Sequence, residues 1–524
     1  MRKNLSQLLN TKKFFISLII LILVAVYFNS FYHRLIFLDD DTLIYSKFSG
    51  MGLWEKISTS FSANYLDIHY YRPIALLSII IDSVLGGQSY FIYHLTNIII
   101  HLLTATLIFA ILRELEFGNI ISFLTTLLIS LSPIQINAVG WIAGRADLLA
   151  ALFSVAALLV FIKFIKKDKA YLLIFVSVLT FLAFLSKEVA LPVPFLFLGL
   201  YFILKRKYII DKNSLAVLAM TAIVTGSYYV LRGVFLTGVH IDKFSFTTYY
   251  KNILVLPETI SKFFIPVGIK ALSGIEMFTS VSGSVLIVIL LILPLVFRSM
   301  NRPRYYFGIA WIVLLLLPGM VFRTMGQDGF FYWDCRSYLP LVGFLFIISE
   351  VFNTLNLQNN NRYYIAVIFY LLILGTTTII KLGIYENPVT YWSSVKRDYP
   401  SSFLPYVGLF NYYSFTEDLM KAENQLVRAI EIRPGELSIR EKLFTFYDKH
   451  SWYPKAGWLL KKTLIDDRIY SDYLAERYLT LPDGNSMQEK TNDLLGAYKG
   501  EKGILEKIRK TASGLNKNIL NQNN

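Results

Sequence analysis

The chain has 524 residues, of which 55% are hydrophobic and only 17% charged, with a mean hydropathy of +0.51. An ordinary soluble domain carries about 25% charged residues, so that class is excluded. The net charge of +15 also fails to mark a nucleic-acid binder: from Ile384 onward there are 20 Lys+Arg against 18 Asp+Glu, and the remaining +13 lies in the apolar part, much of it in short loops between apolar runs. That is the positive-inside pattern of a multi-pass membrane protein, with no nucleic acid as partner.

The first apolar segment, Phe14 to Tyr32, follows Arg2, Lys3, Lys12 and Lys13 and has no small-residue cleavage site, so it reads as a retained anchor. Just beyond it lies Leu38-Asp39-Asp40-Asp41-Thr42-Leu43-Ile44. Three adjacent carboxylates beside lipid repel one another and are poorly hydrated, which raises at least one pKa. A raised carboxylate suits a general base acting on a hydroxyl. The plain alternative is a solvated helix cap. Residues Ile74 to Leu85, between Tyr70-Tyr71-Arg72-Pro73 and Gly86-Gly87, read as a short capped helix along the membrane surface.

Apolar runs at 14–32, 90–112, 118–133, 147–165, 170–185, 189–204, 214–231, 283–297, 305–320, 338–353 and 363–382 predict about eleven spans. The basic loops around Lys12, Lys166, Lys205 and Arg298 fall on one side. With that side and the N-terminus cytoplasmic, 33–89, 134–146, 232–282, 321–337 and the C-terminal part lie outside, in a plasma or inner membrane. The stretch 249–267, broken by Pro257 and Pro266, reads as interfacial or re-entrant.

After the last span the period changes. Tyr406, Leu409, Tyr413, Ala422, Leu426, Ala429 and Pro434 follow a tetratricopeptide spacing, and Leu443, Tyr447, Ala456 and Leu460 repeat it more weakly. Helices around Pro388 to Tyr399 and Ile469 to Lys510 are expected to cap these two copies, and the Asn-rich 516–524 to be disordered. The predicted architecture is all-α: a transmembrane helical bundle over 1–383, a helical repeat domain over 384–515, and a tail.

Polar residues recur at the external ends of the spans: Arg72; His94, Asn97 and His101 on one helix face; Asn137 and Arg145 around a short turn; Lys187-Glu188 between two spans; and Asp334, Arg336 and Tyr338 before another. Each costs roughly 2.5–3.5 kcal/mol at membrane depth and needs a partner or a task. The histidines lack a zinc spacing and read more simply as interhelical glue, and any single Arg as a snorkelling cation. Together, acids and fixed cations on one face suit a lipid-linked phosphate and an incoming hydroxyl.

The blocks LDDDTLIY (38–45), YYRPIALLSIIIDSVLGGQSYFIYHLTNIIIHLL (70–103), SPIQINAVGWIAGRADLLAALF (132–153), SKEVALP (186–192) and CRSYLPLVGF (335–344) resemble GT-C-fold glycosyltransferases, close to the transmembrane and tetratricopeptide-repeat-containing O-mannosyltransferases and their bacterial relatives. Where that family often carries His-Pro and a Glu, this chain has Ser132-Pro133 and Asn137. The resemblance implies a polyprenyl-phosphate sugar donor, possible mannose transfer, an external site, and Asp39 or Asp40 as base with Asp41 outside the pair. Arg72, Arg145, Lys187 and Arg336 would hold phosphate, with His94, Asn97, Glu188 and Tyr338 in support. No cofactor is required; a divalent metal is possible, but no ligand set supports one. The repeats would present a protein or glycan acceptor. A transporter and a membrane-anchored repeat scaffold are the alternatives.

Overall fold

A computed structural model of the chain describes residues 11–62, 65, 70–87, 89–206, 210–235, 250, 252–321, 333–357, 361–482 and 486–522. Among these the structure is helical, and its one extended pairing is an isolated antiparallel bridge between Tyr65 and Tyr70. The chain divides into two compact units, Met1–Val395 and Lys396–Asn524.

The first unit is that of a multi-pass membrane protein. Among the described residues, eight helices are long and apolar enough to cross a bilayer, from Lys12–Tyr32 to Asn361–Tyr385. Two further apolar pairs are bent, Asn119–Ser130 with Pro133–Gly140 by 49° and Asp334–Leu341 with Phe344–Thr354 by 52°. The first break falls at Pro133, which forces Ser132 into extended backbone. The second falls at Gly343, where a Cβ would come within 2.6 Å of the Gly308 carbonyl oxygen. The remaining run forms Tyr171–Ser186, whose 16 residues reach about 24 Å against a hydrocarbon core of about 30 Å.

The stretch 249–267 contains a helix, Val255–Phe264, of 10 residues, too short to span. Seven of the eight residues from Pro257 to Phe264 are buried, including Glu258 and Lys262. Gly283 lets the helix Met277–Val296 lie directly on it: a Cβ there would sit 1.8 Å from the Pro257 carbonyl oxygen. The helix Pro73–Gly86 starts at its proline and ends before Gly87 at φ 58, as its sequence predicts.

In the second unit three helical hairpins follow one another. Their first helices begin at Leu404, Leu437 and Asp472, and their second helices at Leu419, Tyr453 and Met487. Ala422 and Ala456 are fully buried where paired helices approach. The third hairpin was hidden in the sequence because Lys490 stands 34 residues after Ala456, where a small residue is expected. Lys490 is nevertheless buried, its Nζ donating to the Leu481 carbonyl (2.7 Å) over the Tyr478 ring.

Two expectations need correction. The helix Pro388–Asp398, expected to cap the repeats, belongs largely to the first unit: its Tyr391 and Trp392 are buried and the Trp392 indole donates to Ile36 O (2.8 Å), while only its end reaches the repeats, Lys396 standing over the Tyr406 ring (4.6 Å). The final helix runs Lys502–Gln522, through most of the stretch expected to be disordered, because no proline interrupts it. Residues 523–524 lie outside the described residues.

Candidate active site

The acidic triplet lies in the turn between the first span and the helix Thr42–Ser46, a π-helical turn. Phe37 enters it with φ 56, a left-handed conformation that is costly for a residue with a Cβ. Asp40 holds this turn. Its Oδ2 accepts from Ile36 N (2.8 Å), and its Oδ1 accepts from Leu38 N (3.2 Å) and Asp41 N (3.1 Å). Burial raises the Asp40 pKa and the amide donors oppose it. With both oxygens committed to backbone, Asp40 is poorly placed to take a proton from a substrate.

Asp39 differs. Its carboxylate accepts no hydrogen bond among the described residues, and its pKa is pushed up to about 7 by burial and by the charges of Asp40 and Asp41, against the pull of Arg72 and Lys187. Burial brings both Asp39 and Asp40 up to about 7, so what sets Asp39 apart is that its oxygens are uncommitted among the described residues and that its charge is drawn by the fixed cations.

Arg72 and Lys187 are set by a pair of ion bridges that meet in one turn. The Arg72 Nε and Nη2 donate to Glu188 Oε2 at 3.0 and 2.9 Å, and its guanidinium lies over the rings of Tyr70 (4.2 Å) and Tyr65 (5.2 Å). Burial works against this charge, but Glu188 together with Tyr65 and Tyr70 more than offsets it, and the Arg72 pKa is raised. Lys187 Nζ donates to Asp147 Oδ2 (2.5 Å). Adjacent residues 187 and 188 thus reach opposite partners, because Lys187 is extended at the end of Tyr171–Ser186 and Glu188 opens the next short turn. Both cations keep donors for a further anion: Arg72 Nη1 and two of the three Lys187 hydrogens carry no bond among the described residues.

Arg336 sits on the short helix Asp334–Ser337, with Nη1 on the Gly319 carbonyl (3.4 Å). That helix is pinned by Asp334, which accepts from Ser273 Oγ and pairs with Lys262 Nζ (3.4 Å). The next residues of the Lys262 helix, Phe263 and Phe264, line an apolar cavity of about 410 Å³ with Leu128, Leu290, Ile347 and Tyr370. This cavity has no charged lining residue and shares none with the Asp39 cluster.

The other predicted residues are placed elsewhere. Arg145 is fully buried and closed: Nε donates to Asn97 Oδ1 (2.8 Å), Nη1 to Asp82 Oδ2 and Ser78 O (3.3 Å), and Nη2 to Tyr93 O (2.6 Å). It is a knot between the helix Pro73–Gly86 and the helices Tyr90–Glu114 and Arg145–Lys167 and has no open face for phosphate, which corrects the expectation. Asn97 completes the knot, its Nδ2 donating to Trp141 O (3.0 Å). Tyr338 is interior too, its hydroxyl donating to His101 Nδ1 (2.6 Å) while His101 Nε2 donates to Ser130 O (3.1 Å). His94 packs edge-on against His33 at 5.9 Å, and neither of its ring nitrogens is hydrogen-bonded among the described residues. Asp147 was not foreseen; its only sequence signal is an acid in the first turn of an apolar helix. Among the described residues no three His, Cys, Asp or Glu gather with metal-binding geometry.

The arrangement is that of a membrane protein with a neutral-titrating carboxylate set among anchored cations. The sequence comparisons give this class a family likeness. The family model described as dolichyl-phosphate-mannose-protein mannosyltransferase matches residues 73–229. Protein O-mannosyl-transferase TMTC1 of Mus musculus is 36% identical over 90 residues, 17% of this chain and 10% of that protein. TMTC2 of Mus musculus is 34% identical over 93 residues, 18% of this chain and 11% of that protein. The resemblance read from the motif blocks is borne out, although the chain spans about a tenth of the length of the curated relatives it matches. A crystal structure of ArnT from Cupriavidus metallidurans bound to undecaprenyl phosphate aligns over 92% of this chain and 88% of its own, at 12% identity and a TM-score of 0.43. That likeness is too distant to bear on the site.

Proposed function

We propose that this chain is an integral-membrane inverting glycosyltransferase, of GT-C type, that moves a sugar, mannose in the first instance, from a polyprenyl phosphate to a protein hydroxyl on the extracytoplasmic face. The observation that carries this reading is Asp39: a half-buried carboxylate without a hydrogen-bond partner among the described residues, pushed up to about 7 beside Arg72 and Lys187. Asp39 takes the proton of the acceptor hydroxyl as its oxygen attacks the anomeric carbon. The bond from that carbon to the phosphate oxygen breaks, and the electron pair leaves with the lipid phosphate. Arg72 and Lys187, with Arg336 alongside, meet the growing negative charge through donors already in place. The scheme uses side-chain cations for this step and calls on no cofactor.

The basic loops support a cytoplasmic N-terminus and an external site and repeat unit, and the helical period supports a tetratricopeptide-type fold for that unit. The apolar cavity beside Phe263 and Phe264 suits a hydrocarbon chain. The test is transfer from radiolabelled polyprenyl-phosphate mannose to Ser/Thr peptides by purified protein in lipid nanodiscs. Label in peptide, with the anomeric configuration inverted and lost in Asp39→Asn, is the expected result. Label in peptide that persists in Asp39→Asn overturns the assignment of the base, and no transfer with any polyprenyl-phosphate sugar overturns the reaction.

A further inference from the structure

We infer that the cleft between the second helices of the second and third C-terminal hairpins binds a neutral pyranose, one sugar ring of a glycan. The cleft encloses about 240 Å³. Pockets for drug-sized ligands start at about 300 Å³, so this one takes a single ring. Gly457, Trp458 and Lys461 line it from Tyr453–Lys461, and Glu489, Lys490 and Asp493 from Met487–Ala497. None of these residues belongs to the Asp39 cluster or takes part in the proposed transfer.

Its platform is Trp458. An indole that is 61% exposed leaves a large apolar face in water, and Gly457 beside it adds no side chain. Lys462, one helical turn on, stands over the ring at 4.9 Å and steadies it. Behind it Lys490 is buried, with its Nζ on the Leu481 carbonyl and over the Tyr478 ring, so its charge is already engaged. Glu489 is engaged too, its Oε2 accepting from Ser486 N (2.9 Å) and Ser486 Oγ (2.8 Å) at the start of its helix. Two groups are left for a ligand. The Lys461 ammonium and the Asp493 carboxylate are exposed and have neither an ion-pair nor a hydrogen-bond partner among the described residues.

An ammonium and a carboxylate lining one cleft select a ligand without net charge. An anion would be repelled by Asp493 and a cation by Lys461. A hydroxyl answers both, since it donates to the carboxylate and accepts from the ammonium. A bare aromatic ring would stack on Trp458 and leave both charged groups unanswered, and an open-chain polyol would do the reverse. A pyranose carries both features in one molecule: a face of C–H groups for the indole and a rim of hydroxyls for Lys461 and Asp493.

The test is saturation-transfer difference NMR, by titration, of methyl α-mannopyranoside and methyl α-glucopyranoside with the full-length protein in lipid nanodiscs free of glycoside detergent and of any sugar donor. Because no transfer is measured, its failure is separable from failure of the transferase reading. The expected result is binding of at least one glycoside, with saturation reaching its ring C–H protons. That binding weakens about tenfold in Trp458→Ala and in Asp493→Ala, partly returns in Trp458→Tyr, and is unchanged in Trp54→Ala, an 81% exposed indole of the first unit. Trp458 and Asp493 are both exposed, so neither substitution opens the core. No binding of either glycoside, binding unchanged by either cleft substitution, equal loss in Trp54→Ala, sorbitol binding as tightly as the glycosides, or tighter binding of adenosine or of methyl glucuronoside would each overturn the proposal.

Discussion

Replacing Asp39 and Asp40 by Asn in turn separates chemistry from architecture. Asn is nearly isosteric with Asp but cannot serve as a base. Asp39→Asn removes no hydrogen bond among the described residues and leaves the neighbouring cations in place, so turnover should fall by about 10²–10⁴, or about 2.7–5.4 kcal/mol of transition-state stabilisation. Donor binding should be retained. Folding should, if anything, improve. A carboxyl whose folded pKa is raised from 3.8 to about 7 favours the folded state when protonated, and that contribution is lost as pH rises through 7. The gain in unfolding temperature from Asp39→Asn should therefore grow between about pH 4 and 7 and then level off.

Asp40→Asn perturbs something else. An Asn oxygen can keep the bonds from Leu38 N and Asp41 N, but its NH₂ then faces the Ile36 N–H, which bonds Asp40 at 2.8 Å. One charge-assisted bond is lost, about 1.5–3 kcal/mol, in a turn that also carries the left-handed Phe37. The variant should unfold earlier, and its activity should fall only as far as the turn loosens. The assay is initial rate, donor affinity and thermal unfolding for both variants at matched concentration. Wild-type turnover in Asp39→Asn, or a dead Asp40→Asn with unchanged unfolding temperature, refutes this division of labour.

The wild-type rate should rise across about pH 6–8 and plateau above, since the base acts ionised and its pKa is near 7; a flat profile counts against Asp39. Arg145→Ala leaves Asp82 buried without its partner and should cost about 3–5 kcal/mol of stability. The double variant Arg145→Met/Asp82→Leu should recover most of it, and a donor-binding defect that persists in the refolded double variant would return Arg145 to the phosphate. Asp147→Asn should weaken donor binding more than it lowers stability, because it frees Lys187 to swing away; an effect on stability alone would make the bridge purely structural. A reporter after Asn524 should be active only outside the cytoplasm, and cytoplasmic activity would imply an additional or a missing crossing.

Much of this molecule was legible in its sequence, and the failures have physical causes. The eleven apolar runs all became helices because spanning length and apolar composition are local properties. The capped helix Pro73–Gly86 was announced by its own termini. Side-chain partners are not local. Arg145 and Arg72 look alike in sequence, yet one is closed by Asp82, Asn97, Ser78 and Tyr93 and the other keeps a free edge. Asp40 and Asp39 are neighbours of one type, and only the backbone turn from Ile36 to Asp41 decides which of them is occupied. Lys490 concealed a whole hairpin because a buried lysine satisfied by one carbonyl is invisible to a pattern of small residues.

The clasp at Lys187 and Glu188 also sets an order of assembly during synthesis. Arg72 precedes its partner by 116 residues and Asp147 by 40. At about 5–20 residues per second, the Arg72 guanidinium waits some 6–23 s, and the Asp147 carboxylate some 2–8 s, before the turn that satisfies both has been made. Until then the nascent chain holds one uncompensated charge of each sign near the bilayer, a state that is expensive there. The turn arrives with both counter-charges side by side, so a single docking event at the end of Tyr171–Ser186 neutralises both together. A chain stalled before Lys187 therefore carries two ions, Arg72 and Asp147, whose partners in the finished protein have not yet been made.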